Sequence, residues 1–231
     1  MPAAMAEAPA VIKACVFDAY GTLFDVNSAA AKLASDIGAN WLRLAETWRA
    51  KQLQYTWLRS LMGAHTDFEQ VTGDALDFAL AQAGIADTDL RRRLMALYFT
   101  LDAYPEVPDM LRRLKAKGLK TAILSNGSPA MLAAAVQSAG IGGDLDAVLS
   151  VEAAGTYKPH ARVYGLGTAH FGVAPSAILF LSSNGWDAHG AAHFGFRVFW
   201  VNRFGQPPER LPGAPERVLS DLATLPDLVG S

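Results

Sequence analysis

The stretch Ala14-Cys-Val-Phe-Asp-Ala-Tyr-Gly-Thr-Leu-Phe24 decides how the rest of this sequence is read. Four apolar residues, Ala14–Phe17, run without a gap into a lone carboxylate, Asp18, and then into Ala19, Tyr20, Gly21 and Thr22. A short uninterrupted apolar run is the pattern of a strand buried on both faces, as in a parallel sheet. Open α/β sheets bind ligands just beyond the carboxyl ends of such strands, which is where Asp18 falls. An unpaired carboxylate at that low-dielectric edge costs free energy, so core packing gives no reason for it. Taken alone, Asp18 also fits the plainer role of capping the following turn.

Working outward, the first ten residues, Met1–Ala10, are rich in Ala and Pro and read as a frayed tail. After Phe24 the pattern turns helical. Asn27 and Ser28 can cap a helix through Ala29–Ile37 that Gly38 ends. Trp41–Met62 predicts a long helix with Trp41, Leu44, Ala45, Trp48, Tyr55, Leu58 and Met62 on one stripe. Leu53 and Trp57 fall off that stripe, so a second face is also expected to be covered. Helices are expected over Gly73–Ala83 and Thr88–Thr100. No strand signal appears between Asp25 and Asp102, so 25–103 reads as an inserted helical cap domain.

From Tyr104-Pro-Glu-Val-Pro108 onward strands and helices alternate. Strands are expected at Thr121–Leu124, Ala147–Val151, Ile178–Leu181 and Val198–Val201, and helices at Asp109–Lys117, from Pro129, and at Arg162–Phe171. Alternation of this kind implies a doubly wound, Rossmann-like parallel sheet with right-handed crossovers. The expected fold class is therefore α/β, a core of 1–24 and 104–231 carrying the helical lobe directly after its first strand. A lobe placed there can close over a site and exclude water.

Composition narrows the function. With 51% hydrophobic and 18% charged residues in 231, the chain buries a substantial core and is not disordered. A formal net charge of −2 gives no electrostatic case for nucleic acid or an anionic membrane. The single cysteine, Cys15, rules out an internal disulfide and reads as a small core hydrophobe. The start, Met1–Ala10, lacks basic residues and the apolar run after Lys13 is too short for a signal or a span, so a cytoplasmic location is expected.

Polar residues collect just after the apolar strands: Asp18 and Thr22, Ser125 and Asn126, Lys158, then Ser182, Asn184 and Asp187. Adjacent carboxyl ends of a doubly wound sheet face one crevice, so these groups are expected to converge. Other signals are weaker. His189 and His193 have zinc-compatible spacing but lack the Glu of the zinc-protease pattern and a third ligand. No Gly-x-Ser-x-Gly elbow is present, against a serine hydrolase.

With these residues in view the sequence resembles the haloacid dehalogenase superfamily, whose four motifs match Asp18-x-x-Gly-Thr22, Ser125-Asn126, Lys158-Pro159 and the acidic loop at Asp187. The finer resemblance is to its L-2-haloacid dehalogenase branch. It rests on Asp18-Ala-Tyr-Gly-Thr-Leu23, Trp48-Arg49-x-Lys-Gln-Leu-x-Tyr-Thr-Trp-Leu-Arg59, Leu124-Ser-Asn-Gly-Ser-Pro129 and Ser182-Ser-Asn-x-Trp-Asp187, and covers about Lys13 to Arg203.

The residues favour that branch over the phosphatases of the superfamily. Phosphatases carry a second Asp two positions after the nucleophile to protonate an alcohol. Here that position is Tyr20, with an unperturbed pKa near ~10. Where their magnesium site takes a carboxylate this chain has Asn184, a weaker hard-oxygen donor. A departing halide needs neither proton nor metal, so no cofactor and no metal is expected.

The resemblance implies an Asp nucleophile, Asp18, that attacks the α-carbon of a small 2-haloacid to give an ester and halide. Water then attacks the Asp18 acyl carbon, turning an L-2-haloacid into a D-2-hydroxy acid. Lys158 would keep Asp18 ionised, and Asp187 would hold Lys158 and help place the water. Ser125 and the Asn126 backbone suit the substrate carboxylate. Arg49 is expected at the halide, with Ser182 and Asn184 as polar support and Thr22 and Tyr164 contacting the nucleophile. Ala19, Tyr20, Leu53, Phe68 and Trp186 would line the substrate pocket. Ala50 stands where the branch commonly has Gln, a difference expected to alter pocket shape. A homodimer is implied as well. The competing readings are a magnesium-dependent phosphatase or phosphonate hydrolase of the same superfamily, and a binding protein that keeps the fold without the chemistry.

Overall fold

The computed structural model describes residues 11–26, 32 and 34–229. The reading of Met1–Ala10 as a tail, and of Asn27 and Ser28 as helix caps, lies outside the described residues. Six parallel strands form one sheet: β1 (Ala14–Phe17), β2 (Lys120–Ser125), β3 (Ala147–Ser150), β4 (Ile178–Ser182), β5 (Arg197–Val201) and β6 (Arg217–Leu219). Their order is β3-β2-β1-β4-β5-β6, so β1 is central and the chain reverses its direction of travel across the sheet there. Both faces of β1 are buried, as its gap-free apolar run requires.

Register explains why distant motifs meet. Phe17 pairs with Ile123 on one side and with Leu181 on the other. The next residues along the strands, Asp18, Leu124 and Ser182, therefore emerge at one level of the sheet edge. That crevice lies at a topological switch point, where such sheets bind ligands.

Among the described residues the lobe contributes four helices: α1 (Ala34–Ile37), α2 (Trp41–Met62), α3 (Phe68–Gln82) and α4 (Thr88–Ala96). The expected third helix begins five residues before Gly73. Gly63, at φ 64°, ends α2, and the Asp67 carboxylate then accepts the Gln70 N–H at 2.8 Å to cap α3. After α4 the expected helix tightens into a short 3₁₀ turn, Leu97–Phe99. The stripe of α2 is also corrected. Its buried residues are Leu44, Trp48, Gln52 and Thr56, while Leu58 and Met62 are exposed. Apolarity alone could not find a buried face that contains an amide and a hydroxyl.

The two connectors between lobe and sheet lie side by side. Phe24 bridges Ala103, the Asp25 N–H donates to the Asp102 carbonyl, and the Tyr104 N–H to the Leu23 carbonyl, both at 2.9 Å. Beyond them follow α5 (Val107–Ala116), α6 (Pro129–Ser138), α7 (Ala161–Phe171), α8 (Gly185–Phe194) and α9 (Leu225–Leu228). Two elements differ from expectation. The segment Ser182–Asp187, read as a loop, already enters α8 at Gly185, which puts Asp187 in a first helical turn. Strand β6 was not expected; three residues on an exposed sheet edge leave almost no apolar pattern to read. No described helix is long and apolar enough to cross a membrane.

Candidate active site

Asp18 leaves β1 into a tight turn in which the Ala19 carbonyl accepts the N–H groups of Thr22, Leu23 and Phe24. Gly21, at φ 82°, supplies a backbone conformation that other residues rarely adopt. The turn brings the Thr22 hydroxyl back to 3.2 Å from Asp18 Oδ2. Asp18 is 6% exposed. Its Oδ1 accepts from Lys158 Nζ at 3.0 Å, and its Oδ2 from Asn184 Nδ2 at 2.9 Å.

Lys158 is buried, with its ammonium shared between Asp18 and Asp187 Oδ2, the latter at 2.8 Å. Burial works to lower its pKa, but the two carboxylates together outweigh this and raise it above the ordinary lysine value. Asp187 is fully buried, and burial raises its pKa against the opposing pull of Lys158. Its Oδ1 accepts from the Tyr164 hydroxyl at 2.8 Å. The Tyr164 hydroxyl thus hydrogen-bonds to Asp187, where the resemblance implies a contact to Asp18. The reason is positional: Tyr164 sits one turn into α7, opposite the first turn of α8 that carries Asp187. Burial holds the Tyr164 phenol well above its usual pKa, so it can only donate there.

The remaining polar residues shape loops around this triad. Ser125 Oγ accepts the Gly127 N–H at 3.1 Å, which leaves its own proton for another partner. Asn126 Oδ1 accepts the Lys158 backbone N–H at 3.1 Å, tying the end of β2 to the loop before α7. Ser182 Oγ accepts the Asn184 N–H at 3.1 Å and so aims the Asn184 side chain. Ser183 was not singled out from the sequence, although it lies within the Ser182-Ser-Asn segment. Its N–H donates to Thr22 Oγ1 at 2.8 Å, and its hydroxyl is 3.1 Å from the same atom.

From the lobe, Arg49 on α2 donates through Nη2 to Asn184 Oδ1 at 3.2 Å and through Nη1 to Gln52 Oε1 at 2.7 Å. A helix far from the sheet in sequence thus reaches within one side chain of Asp18. The Tyr20 ring stacks on Phe68 at 5.8 Å and meets Tyr98 edge-on at 5.5 Å. Burial pushes the Tyr20 phenol far above its usual pKa, so it stays protonated, and its hydroxyl is buried without a partner. A Cβ on Gly127 would lie 2.8 Å from that hydroxyl, so only glycine leaves it room beside the Ser125–Asn126 loop. Trp186 packs edge-on against Trp57 at 5.4 Å, its indole N–H also buried without a partner. Leu53 is half-buried one turn beyond Arg49.

A cavity of about 680 Å³ between lobe and core is lined by Tyr20, Trp48, Arg49, Ala50, Asn184 and Phe204, among others. Ala50 is part of this lining, whereas Phe68 stacks behind Tyr20. Among the described residues no group of three or more His, Cys, Asp or Glu gathers as a metal site. The two carboxylates that do converge, Asp18 and Asp187, are already bridged by an ammonium. His189 is turned away, with Nδ1 3.1 Å from the Leu211 carbonyl. The arrangement is a shielded carboxylate with a cation on one oxygen and amide and hydroxyl donors on the other, a setting suited to nucleophilic chemistry.

The family model for haloacid dehalogenase-like hydrolases matches residues 12–195. (S)-2-Haloacid dehalogenase 1 of Pseudomonas sp. (strain CBS-3) is 46% identical over 94% of this chain and 96% of its own. The crystal structure of one L-2-haloacid dehalogenase superposes with a TM-score of 0.93 at 44% identity, covering 96% of this chain and 100% of that one. The Xanthobacter autotrophicus L-2-haloacid dehalogenase, solved with chloropropionic acid covalently bound, gives a TM-score of 0.88 at 39% identity, covering 94% and 98%.

Proposed function

This chain belongs to the haloacid dehalogenase-like hydrolases, in their L-2-haloacid dehalogenase branch, and on that premise we propose how its residues carry out (S)-2-haloacid dehalogenation. A carboxylate oxygen of Asp18 attacks C2 of a small L-2-haloacid from the face opposite the halogen. The new C–O bond forms as the carbon–halogen bond breaks, and the electron pair leaves with the halide. Water then adds to the Asp18 acyl carbon, and the ester collapses to the 2-hydroxy acid and free Asp18. C2 inverts once, so the product is the D-hydroxy acid.

Each neighbour has a part in this. Lys158 pairs with Asp18 at 3.0 Å in a water-poor site, and Asp187 fixes Lys158 and takes the proton of the hydrolytic water. Tyr164 orients Asp187. Ser125 and the loop at Asn126 hold the substrate carboxylate, with Ala19 and Tyr20 beside them. Arg49 receives the halide, and Thr22, Ser182 and Asn184 keep the nucleophile in register. Leu53 and Trp186 add apolar surface beside Arg49 and Asp187, and Phe68 supports the Tyr20 ring from behind. No metal enters the scheme, because the Lys158 ammonium supplies the positive charge between the two carboxylates.

The observation that carries this reading is Asn184 Nδ2 donating to Asp18 Oδ2 where a metal-dependent relative needs another anionic oxygen. The lobe, 25–103, is taken as a cap on a core of 1–24 and 104–231. Exposed Leu58, Leu61 and Met62 on α2 support a homodimer through that cap. The test is halide release from L- and D-2-chloropropionate. Release from the L isomer with D-lactate as product is expected; phosphate-ester hydrolysis without halide release would reverse the reading.

A further inference from the structure

The buried face of α2 is built from Leu44, Trp48, Gln52 and Thr56, and Gln52 is completely buried. A primary amide in an apolar stripe costs free energy unless its two donors and its acceptor are paired. Gln52 is paired, and asymmetrically. Oε1 accepts from Arg49 Nη1 at 2.7 Å, while Nε2 donates to Thr72 Oγ1 at 2.7 Å and to the Tyr98 hydroxyl at 3.2 Å.

That orientation cannot reverse. A guanidinium only donates, so the amide carbonyl must face Arg49. The Thr72 hydroxyl gives its proton to the Phe68 carbonyl at 2.6 Å, so toward Gln52 it can only accept. Flipping the amide would set donor against donor at Arg49 and acceptor against acceptor at Thr72. On its far side Arg49 donates to Asn184, and Asn184 to Asp18. One ordered chain of hydrogen bonds therefore runs from the backbone of α3, through Thr72, Gln52, Arg49 and Asn184, to the nucleophile.

We propose that Gln52 is a positioning residue for the leaving-group step, clamping one arm of Arg49 so that the guanidinium is already aimed when halide charge develops. This rests on the dehalogenase reading and on Arg49 as the halide's partner. Arginine has many rotamers, and freezing them during the reaction would cost entropy at the barrier. A clamp set at folding removes that cost, since preorganised donors need no rearrangement as charge appears. The substrate's halogen carries little charge before the bond breaks, so the clamp acts on turnover and hardly on binding. Chloride, the smaller anion, gains more than bromide from a well-aimed donor.

The experiment is single-turnover halide release from L-2-chloropropionate and L-2-bromopropionate, in wild type, Gln52→Met, Arg49→Ala and the double variant. Thr72→Val removes the acceptor that fixes the amide and provides a second route if Gln52→Met does not fold. Chloride release is expected to slow about tenfold in Gln52→Met, less than the ~10²-fold expected for losing the donor itself. Bromide release should slow less, KM should change less than about twofold, and the double variant should match Arg49→Ala alone. Equal slowing of both halides, or full additivity with Arg49→Ala, would make Gln52 a packing residue and overturn the proposal. A wild-type protein that releases neither halide would overturn the dehalogenase reading, and this proposal with it.

Discussion

Lys158 and Asp18, 140 positions apart in the chain, meet at 3.0 Å with side chains only 1% and 9% exposed. A cation so placed has a second carboxylate, Asp187, at 2.8 Å, and its loss would leave two anions facing each other in a buried site. Lys158→Ala should lower turnover at least ~10²-fold, the scale of losing one preorganised electrostatic partner. The pH dependence has a definite sign. The folded pKa of Lys158 lies above the ordinary 10.5, so its stabilisation is fully present below 10.5 and is lost only as pH rises through the higher folded value. A folded Lys158→Ala protein with near-normal turnover would show the assignment to be wrong.

Metal should be dispensable. The convergent carboxylates already share an ammonium, and Asn184 offers an amide donor to Asp18 where a magnesium site would want an anionic oxygen. Chloride release should be unchanged in excess EDTA. Loss of activity that added magnesium restores would revive the phosphatase reading.

Arg49→Ala should depress the bond-breaking step about 10²-fold or more while substrate affinity changes little. Arg49→Lys should recover part of the loss, because a flexible point charge cannot hold Asn184 and Gln52 as a planar fork does. Rapid-quench measurement of halide separates this step from ester hydrolysis. Halide released at the wild-type rate would assign Arg49 to a later step.

Tyr164→Phe removes a 2.8 Å donor from Asp187. Burial raises the Asp187 pKa, Lys158 and the Tyr164 hydroxyl pull it down, and deleting the hydroxyl lets it rise further. The acid limb of the pH–rate profile should move to higher pH, with plateau turnover falling less than about tenfold. The stability sign follows from the same shift. A carboxylate with a raised folded pKa contributes stability that is present below its unfolded value, near 3.8, and lost as pH rises through the folded value. A profile that does not move, or moves to lower pH, would remove Tyr164 from the cluster.

Arg203 fastens the return connector of the lobe to the Asp18 turn. One guanidinium nitrogen donates to the Thr22 carbonyl at 2.9 Å and to Glu106 Oε1 at 2.6 Å, and the group lies 3.8 Å over the Tyr104 ring. With side chains 8% and 18% exposed, the pair is shielded, and removing one member strands the other. Arg203→Met should cost about 3 kcal/mol in urea unfolding. A change within ~0.5 kcal/mol would place the pair with surface bridges of little value.

Much of this was legible in the sequence because the informative residues are local. The run Ala14–Phe17 ending at Asp18 specifies a buried parallel strand with a carboxylate at its mouth, and the alternation beyond Tyr104 specifies the sheet. Asp18, Lys158 and Asp187 could be named as a group because each follows a strand, and strand ends of one sheet share an edge. Helix starts were less legible. Asp67 caps α3 well ahead of the apolar residues that mark the helix in sequence, and Trp186 and Asp187 carry no local sign that a helix has already begun.

By itself, then, the sequence determined the class of fold, the order of strand and helix, and the carboxylate at the mouth of the first strand. These depend on hydrophobic period and on which residues follow each strand. Tertiary structure alone decided the partners. Tyr164 proved to serve Asp187, Ser183 to brace Thr22, and Gln52 to occupy a core stripe by clamping Arg49. Hydrogen bonds between side chains depend on distances of about 3 Å and on which end of an amide faces a donor. Spacing along a chain does not carry that information until packing has fixed the helices against the sheet.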